Sequence, residues 1–67
     1  MPLVTIKILA GHPQQRKDEI SRRVTSAISE VAGLSKDAVW VVFEDVGAED
    51  WYVGGETVGA LKKAGKL

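Results

Sequence analysis

A chain of 67 residues with no cysteine and nine basic against nine acidic side chains has room for one small domain and excludes a multidomain arrangement. Ordering that many residues costs on the order of 100 kcal/mol, and an isolated core of this size returns little more, so the chain needs a staple. Without cysteine no disulfide can form, and a single histidine cannot build a Cys/His zinc site, which leaves self-association. Zero formal net charge and a pI near 6.6 argue against a phosphate-binding surface and hence against nucleic acid. No apolar run has the length of a membrane span, and Met1 to Leu9 lacks the plan of a signal peptide. The expectation is a soluble, cytoplasmic chain with 1–67 as its single domain.

Leu3 to Leu9 is rich in β-branched residues, with polar Thr5 and Lys7 two apart, which predicts a strand. Val4, Ile6 and Ile8 then share one fully apolar face, with Leu3, Thr5, Lys7 and Leu9 on the other. Gly11-His12-Pro13 ends the strand, and Pro13 suits the first turn of a helix. From Gln14 to Ala32 the apolar positions Ile20, Val24, Ala27, Ile28 and Val31 form one stripe of helical period, and Gly33 supplies the stop. Ser35-Lys36-Asp37 reads as a capped short turn leading into a second strand, Val39 to Asp45. Strand, helix, strand in that order requires a parallel pair joined by a right-handed crossover. The fold class is therefore α/β (α+β): a βαβ unit with two parallel strands and one crossover helix.

Beyond it come a polar loop, Gly47 to Asp50, an aromatic piece, Trp51-Tyr52-Val53, the pair Gly54-Gly55, and a tail carrying Lys62, Lys63 and Lys66. A short C-terminal hairpin or strand is expected there. One helix covers only one face of a two-stranded sheet, so the other face and both edges call for further copies.

The catalytic inventory is thin. One histidine without a Ser/His/Asp constellation does not make a triad, and Gly54-Gly55 lacks the lysine and hydroxyl of a phosphate loop. Neither a metal site nor a cofactor is called for. Pro2 stands out, directly after Met1 at the head of a strand. Removal of Met1 would make it a free secondary amine without side-chain freedom, able to act as base or nucleophile. An ordinary α-amino group titrates near ~7.7 to 8.0; apolar burial or nearby cations lower such a value and leave neutral amine available for general-base work. Proline is also simply tolerated at the start of a strand.

The run Met1-Pro2-Leu3-Val4-Thr5-Ile6-Lys7-Ile8-Leu9-Ala10-Gly11, the amphipathic helix, the β-rich strand and the late Val53-Gly54-Gly55-Glu56 together resemble the 4-oxalocrotonate tautomerase family from Pro2 to about Gly59. That resemblance implies a βαβ subunit in a hexamer, a trimer of dimers, with Pro2 as catalytic base in a pocket shared between subunits. It aligns Trp51 with a phenylalanine wall. Two positions depart from the family pattern: His12 stands where a carboxylate-binding arginine is expected, and Trp40 where a second arginine polarises the substrate. Each loss removes a bidentate charged donor worth about 1.5 to 3 kcal/mol. Other cations could compensate across an oligomer, Lys7, Arg16 and the C-terminal lysines among them, and spacing alone does not choose between these.

The resemblance, read with these departures, implies a cofactor-free isomerase that interconverts enol and keto forms of an α-keto acid, less dianionic and more aromatic than a muconate, with His12, Trp40 and Trp51 lining the pocket. Two other readings stay open. One is hydrolytic dehalogenation or decarboxylation with protonated Pro2 as acid and Glu44, Asp45, Glu49 or Asp50 activating water. The other is a catalytically weak subunit of a hetero-oligomer whose second chain restores the charge.

Overall fold

Alternating β-branched side chains make Leu3–Leu9 a strand, β1, and the same chemistry makes Trp40–Val46 a second, β2, in a computed structural model that describes residues 1–67. The two pair in parallel, from Leu3 opposite Trp40 to Leu9 opposite Val46. One bond extends the ladder at each end: the Trp40 amide donates to the Pro2 carbonyl at 3.0 Å, and the Ala10 amide to the Val46 carbonyl at 2.8 Å. The second strand thus runs one residue later than the sequence reading of Val39 to Asp45.

A 19-residue helix, α1 (Gln14–Ala32), makes the crossover. Pro13 is its N-cap rather than its first helical residue and supplies no side-chain cap. At the other end Gly33 takes the left-handed conformation at φ 70°, which a residue with a Cβ adopts only at a penalty. The Ser29 hydroxyl then donates to the Leu34 carbonyl at 2.6 Å, and a 3₁₀ turn, Lys36–Ala38, is capped by Ser35 as its sequence suggested.

Past β2 the chain forms a second, antiparallel pair, β3 (Tyr52–Val53) and β4 (Glu56–Thr57). Gly54 and Gly55 both hold positive φ, 62° and 88°, the requirement of a tight two-residue hairpin turn. A short helix, α2 (Val58–Lys63), follows, with the Thr57 hydroxyl accepting from the Ala60 amide at 3.1 Å. The sequence reading left this helix as tail, since six residues with a glycine among them carry no helical period.

Packing is sparse. Helix α1 lies against β2, and the Lys17 ammonium reaches the Asp45 carboxylate at 2.6 Å. On that side Val4, Ile6, Ile8, Val41 and Phe43 are half-buried, as are Ile20, Val24 and Ile28. The stripe expected on α1 does not pack along its whole length: Ala27 is exposed, and so is Val31, at 90%. On the other sheet face Leu3, Trp40 and Val42 are exposed. Only Val58 and Leu61, at 4% and 9% exposure, are buried, and both belong to α2. The shape is a slab of 45 × 23 × 16 Å with a radius of gyration of 15.3 Å, against about 11 Å for a compact chain of this length. No helix is long and apolar enough to cross a membrane.

Because α2 starts on a single side-chain cap, Thr57→Ala is expected to destabilise the protein by about 1 kcal/mol at fixed protein concentration, with Thr57→Ser near wild type. Urea unfolding followed by circular dichroism measures both.

Candidate active site

Pro2 sits half-buried immediately before β1. Its carbonyl is fixed by the bond from the Trp40 amide, so the pyrrolidine ring is positioned by the sheet and by its own closed ring rather than by rotamers. While Met1 precedes it, its nitrogen is an amide without useful basicity; as a chain terminus it becomes a secondary amine. Trp40 lies opposite Leu3 in the register and is 55% exposed. Pro2 and Trp40 therefore share one end of the sheet.

The opposite end carries a concavity of about 280 Å³ lined by Lys7, Val46, Asp50, Trp51 and Tyr52. Its shape depends on α2. The Val58 amide donates to the Trp51 carbonyl at 2.8 Å, and the Gly59 amide to the Ala48 carbonyl at 3.2 Å. These two bonds clamp the loop between β2 and β3 and hold the half-buried Trp51 as a wall. The lining is aromatic and aliphatic with one ammonium, Lys7, and one carboxylate, Asp50. Lys7 also lies 4.0 Å from the Glu44 carboxylate, at the limit of an ion pair.

His12 does not line this concavity. It lies at the same end of the sheet, two residues after Ala10, whose amide is bonded to Val46. Its ring Nδ1 is 2.9 Å from the Arg16 Nη1. A guanidinium can only donate, so Nδ1 accepts, and a neutral ring carries its proton on Nε2. Sequence reasoning identified Trp51 and named Lys7, Asp50 and Arg16 in subsidiary roles. It missed Val46 and Tyr52 as walls. The register, which sets Val46 opposite Leu9, is the signal that locates Val46.

The four expected site residues thus divide into two pairs, Pro2 with Trp40 and His12 with Trp51. At about 3.3 Å per residue, the seven residues of β1 hold the pairs roughly 20 Å apart. One chain does not bring them together. The carboxylates considered for water activation do not converge either. Glu44 faces Lys7 and Asp45 is held by Lys17. Asp50 lines the first concavity, while Glu49 lines a second one of about 270 Å³ with Thr57 and Lys63. No three potential metal ligands cluster.

Comparison with known proteins agrees with this architecture. A family model described as tautomerase enzyme matches residues 2–61. A probable tautomerase of Bacillus cereus is 34% identical over 56 residues, 84% of this chain and 92% of that protein. Among solved structures, TomN, a 4-oxalocrotonate tautomerase homologue in the tomaymycin biosynthetic pathway, superimposes with a TM-score of 0.90 at 31% identity, covering 92% of this chain and 95% of that one. A heterohexamer 4-oxalocrotonate tautomerase from Chloroflexus aurantiacus gives 0.86 at 26% identity, covering 91% and 98%.

If α2 holds the Trp51 wall, loosening it must expose that indole. In a Trp40→Phe background, where Trp51 is the remaining tryptophan, Leu61→Ala is expected to destabilise the chain by about 2 to 5 kcal/mol and to shift native-state emission to the red. Unchanged emission would mean that Trp51 is held by something other than α2.

Proposed function

We propose, from the premise that the chain belongs to the tautomerase family, that it interconverts enol and keto forms of an α-keto acid with Pro2, freed by removal of Met1, as general base. The observation that carries this reading is the placement of Pro2: half-buried, at the head of β1, with its carbonyl bonded to the Trp40 amide. A base without side-chain torsions needs no ordering when substrate binds. The neutral amine takes the proton of the enol hydroxyl, the oxygen lone pair becomes the carbonyl bond, and the former double-bond carbon receives the proton back from the ammonium. Atoms and charges balance within that cycle, so it needs no cofactor. Apolar burial against a second copy would disfavour the protonated amine and favour the neutral base.

The pocket in this reading is shared. Antiparallel association of two copies sets Pro2 and Trp40 of one against His12 and Trp51 of the other. The roughly 20 Å separation within a chain supports this, as do the exposed Leu3, Trp40 and Val42 and the scarcity of buried residues. A hexamer of identical chains is the simplest assembly. A mixed hexamer is the second reading, favoured by the heterohexameric relative and by the absence of an arginine at positions 12 and 40. Trp40, Trp51 and Tyr52 give the pocket aromatic area, which fits an aryl-substituted keto acid better than a dicarboxylate.

Ketonisation of phenylenolpyruvate is expected to exceed that of 2-hydroxymuconate, and Pro2→Ala to lower the rate by about 10² to 10⁴. Equal inactivity of both proteins on both substrates would sink the reading. For the assembly, the melting temperature is expected to rise with protein concentration and native mass spectrometry to give a hexamer. A species of 7.2 kDa melting independently of concentration would contradict it.

A further inference from the structure

We infer that Arg16, oriented by His12, binds the substrate's carboxylate and so sets the preference of the site for acids over neutral analogues. This deepens the reading above and rests on it for the identity of the substrate. It stands on how the cations are distributed. The chain has three arginines. Arg22 and Arg23 both hold the Glu19 carboxylate, at 2.6 and 2.9 Å, and their hydrogen bonds hold its pKa below the ordinary carboxylate range. Lys17 is held by Asp45 at 2.6 Å, and Lys7 shares its surroundings with Glu44 and Asp50. Arg16 is the arginine with no carboxylate within ion-pair distance. The nearest acid along its helix, Asp18, accepts instead from the Gln14 amide at 3.1 Å.

What Arg16 does hold is the His12 ring, at 2.9 Å from Nη1 to Nδ1. An imidazole neutralises none of its charge. It uses one N–H and restricts the guanidinium plane, leaving four donors and a full positive charge. In the same contact Arg16 fixes the neutral His12 proton on Nε2, which adds a further donor. A guanidinium and an adjacent imidazole N–H together match the two oxygens of one carboxylate, and bonds from a charged donor are the stronger kind.

Place supports the assignment. His12 lies two residues beyond Ala10, and the Ala10 amide is bonded to Val46, a wall of the aromatic concavity. A carboxylate at Arg16 therefore lies at the end of the sheet that also carries Trp51 and Tyr52. Were Arg16 merely an exposed partner for a loop histidine, its removal would affect an acid and its neutral analogue alike.

The test uses probes that cannot tautomerise, so binding is read without turnover. Isothermal titration calorimetry of the intact assembly compares 3-phenylpropionate with 3-phenylpropanamide. Wild type is expected to prefer the acid by at least about tenfold. Arg16→Ala is expected to weaken acid binding by about 10- to 100-fold and to leave the amide within twofold, which also shows that the pocket is intact. Arg16→Lys keeps the charge without the fork and recovers part of the preference. His12→Asn, whose amide oxygen can accept from the guanidinium, retains more of it than His12→Ala. In turnover, Arg16→Ala raises KM for phenylenolpyruvate more than it lowers kcat. The inference is overturned if wild type shows no preference for the acid, or if Arg16→Ala keeps the preference or weakens both probes equally. Activity that depends on Pro2 alongside a preference that ignores Arg16 removes this inference alone. An Arg16-dependent preference in a protein as inactive as its Pro2→Ala variant removes the proton-transfer reading and leaves the anion site standing.

Discussion

A slab 16 Å thick is little more than one helix laid on one sheet, and that thinness governs the rest of the molecule. Helix α1 covers the side of the sheet carrying Val4, Ile6 and Ile8, and nothing in the chain is left to cover the side carrying Leu3, Trp40 and Val42. The surface of 4948 Å² stands roughly 800 Å² above the ~4,100 Å² expected for a folded chain of this mass. That excess is close to what each partner contributes to a standard protein interface. The apolar side chains on the open face are thus better read as interface than as unsatisfied core. Thr5 and the Lys7–Glu44 contact are the polar interruptions of that face, and burial of the ion pair against a partner would demand that it stay together.

The same thinness decides where chemistry can occur. A subunit that buries almost nothing of its own has no interior in which to enclose a substrate, so its functional groups end up on rims. The rim at the head of β1 has a backbone-fixed nitrogen and a tryptophan. The rim at its foot has aromatic walls, a clamped loop and an arginine–histidine pair. For the proposed reaction each is incomplete, the first lacking an anchor for a charged substrate and the second lacking a base. Rigidity is also unevenly divided between them. Both ends are tied into the parallel ladder, but the aromatic wall at the foot depends in addition on α2, whose two buried side chains and two backbone bonds to the loop make it a small independent clamp.

How much of this was legible in the sequence follows from the reach of each signal. β1, α1 and the turn at Ser35 were readable because their determinants are local: a two-residue alternation, a 3.6-residue stripe, a glycine stop and a serine cap. β2 came out one residue early, since Val39 and Trp40 are equally β-prone and only pairing with β1 separates them. α2 was invisible because it is held by bonds from Val58 to Trp51 and from Gly59 to Ala48, seven and eleven positions earlier, which no short-range pattern records. Among the candidate site residues, Pro2 drew notice through its position and the family resemblance, whereas the distance between its end of the sheet and that of His12 is a property of the fold that the sequence pattern does not carry. The Arg16–His12 contact spans one helical turn across the helix start. Spacing alone permits it, yet only the absence of a competing carboxylate makes it informative.

That absence also gives the zero net charge a different meaning. Nine positive and nine negative side chains could have cancelled everywhere, leaving a surface without preference for any ion. The pairing is instead local: Glu19 absorbs two arginines and Asp45 absorbs Lys17. A neutral total is therefore compatible with one uncompensated guanidinium where substrate charge can meet it. Positions 12 and 40 carry no arginine, yet Lys7 lines the concavity, and in the proposed site Arg16 adds a guanidinium one helical turn after His12, with that imidazole as its partner. One such anchor suits a monoacid with an aromatic body, whereas two would be needed to hold both ends of a dicarboxylate.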